Sequence, residues 1–114
     1  MYDTTTEALD SVIEQCKSQI EFGKAIERLN RNPDFKKVIL EGYLEQEAIR
    51  LVHASSSAAF DAPDKRAALM REIDGIGKLA SFFRVSQMLA ERAEGQLVET
   101  EELRQEMIEG NYDE

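Results

Sequence analysis

The sequence predicts an all-α fold with three main helices, at about residues 5–30, 33–54 and 63–93. They are expected to form an antiparallel helical bundle or hairpin with a long third helix and an acidic, partly helical C-terminal tail. Three observations predict this. Two prolines, six glycines, no tryptophan and an abundance of Glu, Ala, Leu and Ile favour helix over sheet. Apolar residues recur at three- and four-residue steps. Helix-starting residues stand ahead of each apolar run. A length of 114 residues suits one domain, with residues 1–93 as its helical body and 94–114 as an acidic C-terminal extension of it.

The first helix is expected to start near Thr4. Thr4-Thr5-Thr6-Glu7 has the Thr-x-x-Glu spacing of a capping box, in which hydroxyl and carboxylate satisfy backbone N–H groups that have no helical partner. Leu9, Val12, Ile13, Cys16 and Ile20 form an apolar stripe, continued with a slight rotation by Phe22, Ala25, Ile26 and Leu29. Acids and bases such as Glu14 and Lys17 pair one turn apart on the other side. The helix should stop ahead of Pro33.

The second helix opens with Asn32-Pro33-Asp34. Asn caps, Pro suits the first helical position, and Asp offsets the positive end of the dipole. Phe35, Val38, Ile39, Gly42, Ile49 and Val52 mark one apolar face, and Leu40, Tyr43, Leu44, Ala48 and Leu51 mark another. A helix apolar over more than half its circumference is expected to be central to its fold.

Residues 55–64, SSSAAFDAPD, read as the loop, with Phe60 as its anchor and Asp61 or Ala62 as the next cap. In the third helix Leu69, Ile73, Ile76, Ala80 and Phe83 step by four and three, a seven-residue repeat. Beyond Ala93 the large apolar residues thin out. Gly95 is expected to kink or break the helix, and Gly110-Asn111 to stop it.

Charge is uneven. Residues 91–114 hold nine acids and two bases, a net of −7; residues 1–90 hold 14 acids and 12 bases, a net of −2. Direct nucleic-acid binding is not expected, because counterion release needs clustered Lys and Arg. No apolar run approaches the roughly 18 residues of a membrane span, so no membrane partner is expected. The start of the chain, MYDTTTEALD, is unlike a signal peptide. One cysteine, Cys16, excludes an internal disulfide and reads as a small buried hydrophobe.

No catalytic, cofactor-binding or metal-binding residue is assigned. His53 suits the negative end of the second helix, and no Cys-x-x-Cys or His-x-x-x-His spacing provides further ligands. Glu41 and Glu45 are helical neighbours of the kind common on solvated faces. Ser55-Ser56-Ser57 has only His53 beside it, without a triad or oxyanion hole. Gly75 and Gly77 lack the preceding strand and spacing of a phosphate loop; on a helix they would permit a neighbour's close approach. Adjacent Phe82 and Phe83 cannot both face one core. With the two-sided second helix, they imply more apolar surface than three helices cover. The residues expected at a protein interface are Tyr43, Leu44, Gly75, Phe82, Phe83, Leu97 and Leu103.

Asn32-Pro33-Asp34-Phe35-Lys36, Gly42-Tyr43, Glu47-Ala48-Ile49-Arg50-Leu51-Val52 and Ile73-x-x-Ile76-Gly77 give residues 28–85 a pattern. It resembles that of small uncharacterised α-helical proteins of tailed bacteriophages, encoded near head and packaging genes. The resemblance transfers no catalytic residue. It implies a non-enzymatic virion or head-assembly component whose partners are further copies of itself, other phage structural proteins, or both. Such a protein would work in the host cytoplasm during assembly or in the virion. The alternative is a small acidic regulatory protein that binds and inhibits a host protein, with residues 91–114 mimicking nucleic-acid charge.

Overall fold

The computed structural model describes the backbone of residues 2–113 and the side chains of residues 6–110. Among these residues the chain is all-α, with no strand. Three helical runs appear, at Tyr2–Arg31, from Pro33 to Ala54, and at Pro63–Asp113, and a short 3-10 turn at Ala58–Phe60 interrupts the second connection. The first helix begins at Tyr2, ahead of the expected Thr4; the Thr4 hydroxyl of the proposed capping box lies outside the described side chains. The third helix runs 51 residues to Asp113, without the expected break at Gly95 or stop at Gly110-Asn111.

Asn32 caps the second run. Its Oδ1 accepts from the Asp34 and Phe35 backbone N–H groups, each at 3.0 Å. The run is α-helical at Pro33–Phe35, π-helical at Lys36–Glu47 and α-helical again at Ala48–Ala54. A π-helix bonds i to i+5 and holds more residues per turn than the α-helix. That geometry decides which apolar residues face inward. The inner line is Phe35, Ile39, Leu44, Ala48 and Leu51, all buried or half-buried. Its step of five, from Ile39 to Leu44, lies inside the π segment. The line starts on one sequence-predicted face and finishes on the other, and Val38, Ile49 and Val52 are left exposed.

Residues 26–85 form one compact unit. Its centre is Leu51, Leu69 and Ile76, with Leu44, Ala48, Ala54, Phe60 and Ile73 packed around them. Full burial of each such aliphatic side chain contributes about 1.5–3 kcal/mol. Phe60 therefore anchors the connection, as the sequence predicts. Ser57 caps the 3-10 turn through Ala59 N–H, at 3.3 Å. The Arg66 guanidinium donates to the Ser55 carbonyl at 2.8 Å. The Ala62 carbonyl accepts the Arg66 backbone N–H, which opens the third helix at Pro63.

Residues 1–25 and 86–114 form the second compact unit. Asp10 accepts a hydrogen bond from Arg104 at 2.5 Å, and Gly23 abuts Ala90, so the two segments run in opposite directions. The inward positions of the third helix here are Ala90, Ala93, Leu97, Thr100, Arg104 and Met107, all at least half-buried. They continue three- and four-residue steps through the region expected to be a sparse tail. On the first helix Ile13, Cys16 and Gly23 are buried, whereas Phe22, placed on the stripe by its hydropathy, is exposed.

Cys16 is buried, at 1% exposure. It should react with an aromatic disulfide reagent only as fast as the chain opens. Denaturant should release the colour at once. Immediate native labelling would show that the first helix does not present Cys16 inward.

Candidate protein interface

His53 is exposed at the end of the second run, and the Ser55 hydroxyl donates to the Val52 carbonyl at 2.5 Å. Glu41 and Glu45 are exposed. Among the described residues, no three His, Cys, Asp or Glu side chains are gathered to hold a metal ion. No helix among them is long and apolar enough to cross a membrane.

What the 26–85 unit does present is a groove of about 320 Å³ between its second and third helices. The buried Leu51 and Ile76 contribute to its floor, with Tyr43 and Gly75 at its lining and Glu47, Arg71 and Glu72 as charged lining groups. Two of the expected interface residues thus meet in one place. Gly75 does not act there as expected: a Cβ built on Gly75, or on Gly77, meets nothing within 4 Å, so neither glycine admits a close helix within the chain. The tight approach occurs instead at Gly23, where a Cβ would collide with that of Ala90. Its sequence signal is positional. Gly23 fills the inward step between Ile20 and Ile26, where hydropathy registers nothing.

Glu47 and Arg50 form a two-pronged ion pair beside the groove, both contacts at 2.7 Å. The hydrogen bonds from Arg50 hold the Glu47 carboxyl below its ordinary range, and the same bonds raise Arg50, with Glu72 adding to the effect. A lowered carboxylate pKa supports the folded state above the ordinary carboxylate range. That support is lost as pH falls through the lowered value. The pair is open to solvent, so it shapes the groove rim more than it stabilises the fold.

The remaining expected residues divide. Leu44 packs against the Leu51–Leu69–Ile76 centre and is committed to the fold. Phe83 is half-buried, edge-to-face with Phe35 at 5.9 Å and 84°. Phe82 leans on Phe83 at 5.9 Å but stays 51% exposed. Leu97 is half-buried in the other unit, and Leu103 is exposed there. The sequence reading had not singled out Val38, Ile49 and Val52 for an interface, yet they are 63%, 52% and 54% exposed.

Comparison with protein-family models, curated proteins and solved structures returns no match for this chain.

Proposed function

We propose that this chain is a non-enzymatic structural or assembly protein that acts through helix-mediated protein contacts, as a component of bacteriophage head assembly or of the virion. In this reading its three helices form an antiparallel bundle, and the acidic end of the third helix stays with that bundle. Its partners are further copies of itself and other structural proteins of the particle, met in the host cytoplasm. The observations that carry the reading are the large apolar side chains that the second helical run leaves exposed, Val38, Ile49 and Val52, and the groove that Tyr43 and Gly75 line. The resemblance of residues 28–85 to phage proteins supplies the setting.

Absolute mass by light scattering after size exclusion, at low and high salt, tests this. A stable oligomer at both salts is expected, since apolar contact is weakly screened. Phe82→Asp should weaken assembly with helicity unchanged, because the ring is half in water. Phe83→Asp should also lower the melting temperature, because that ring packs on Phe35. A monomer at both salts, with Phe82→Asp indistinguishable from it, would overturn the reading.

A second reading rests on charge. The net of −7 over residues 91–114 suits a regulatory binder of a host protein's nucleic-acid site. Its affinity would fall steeply with salt.

A further inference from the structure

The charge of the chain is divided between its two compact units. Residues 1–25 and 86–114 carry 14 acids and four bases, a net of −10. Residues 26–85 carry nine acids and ten bases, a net of +1. Within the latter, the Phe35–Phe83 contact brings the start of the second helical run against residues 78–84 of the third helix. The stretch that leads into and opens that run, 27–37, and residues 78–84 of the third helix hold Arg28, Arg31, Lys36, Lys37, Lys78 and Arg84 against two acids, Glu27 and Asp34, a net of +4. Exposed apolar side chains stand among these bases. Phe82 has Lys78 one turn before it, and Val38 follows Lys37.

The outer face of residues 91–109 has the converse chemistry. This stretch carries seven acids and two bases, a net of −5. Ala93, Leu97, Thr100 and Arg104 turn inward, and Val98 and Leu103 are left 55% and 47% exposed. Glu94, Glu101 and Glu102 lie one turn from Val98, and Glu99 and Glu106 one turn from Leu103.

We infer that the basic, apolar corner formed by residues 27–37 and 78–84 receives the acidic outer face of residues 91–109 of a second copy. This rests on the assembly reading above and names the contact. Apolar side chains on each side supply buried area, and opposite charge fixes which surfaces meet. The two surfaces differ, so the contact is heterologous. Repeated, it builds a closed ring or an open filament according to its rotation.

Sedimentation equilibrium of the full chain and two charge-reversal variants tests the contact. Lys36→Glu with Lys37→Glu makes the corner acidic, and Glu101→Lys with Glu102→Lys makes the helix face basic. All four side chains are exposed, and circular dichroism checks that helicity is kept. Each variant alone should associate more than about tenfold more weakly than the parent at low salt, because like charges then face each other. An equimolar mixture should regain association, since the acidic corner of one variant accepts the basic face of the other. Parent association should weaken as salt rises, without dissociating, because the charge contribution is screened and the apolar one is not.

An oligomer indifferent to salt and to both reversals would overturn this contact and leave the assembly reading standing. A monomer under all conditions would overturn both. Association restored in neither variant by mixing, with tight binding of single-stranded oligothymidine to the parent and not to the Lys36→Glu, Lys37→Glu variant, would assign the corner to nucleic acid instead.

Discussion

Gly23→Ala should lower the stability of the chain by up to about 2 kcal/mol, although alanine is the better helix former. The intrinsic gain from replacing a mid-helix glycine is about 1 kcal/mol. Against it stands a new methyl group in contact with the Ala90 methyl, closer than atoms tolerate. Forcing extra volume into a packed site costs about 1–3 kcal/mol. Neither partner is a flexible side chain that can swing away, so the two helices themselves must separate. Separation also loosens the Asp10–Arg104 pair further along the same unit. The melting temperature should fall by roughly 4–8 °C for each kcal/mol lost. Gly95→Ala is the control: nothing lies within 4 Å of its added carbon, and it should gain about 0.5–1 kcal/mol. Ala90→Gly in the Gly23→Ala background should return part of the loss, a coupling that separates contact from propensity. If Gly23→Ala stabilises the chain as much as Gly95→Ala does, the segments are not in close approach at that point.

That glycine shows where sequence reading succeeds and where it stops. Leu69, Ile73 and Ile76 were legible as an inward stripe because each is large, apolar and regularly spaced; the first and last are buried and the middle one half-buried. The same spacing runs on through Ala90, Ala93, Thr100 and Arg104, but small and polar residues carry too little hydropathy to reveal it. The region from 94 onward therefore read as a tail although Thr100 is buried. Gly75 and Gly77 attracted notice by standing close together, whereas the contact that needs a glycine is at Gly23. Of the seven expected interface residues, Tyr43 and Gly75 meet in one groove, and Leu44 turns inward. The two apolar faces of the second helix were visible, but which half of each would be buried was not. An α-helical wheel keeps Ile39 and Leu44 on different sides, and only the wider π turn brings them into one line.

This register gives the other large effect. Leu51 and Val52 are neighbours, both aliphatic, and sequence alone does not rank them. The structure buries Leu51 at the centre of the 26–85 unit and leaves Val52 mostly in water. Leu51→Ala should therefore cost about 2–5 kcal/mol, the lost transfer energy plus a cavity between Leu69 and Ile76. Val52→Ala should stay within about 0.5 kcal/mol of the parent, as for surface positions away from special features. Urea unfolding of both variants measures the difference. A continuous α-helix built around Phe35, Ile39, Gly42, Ile49 and Val52 would reverse the order, because Val52 would then face the core. The ranking of these two substitutions thus reads out the π segment directly. It also tests which apolar side chains remain outside for a partner: a costly Val52→Ala would place Val52 in the core and withdraw one of the exposed residues on which the proposed function rests.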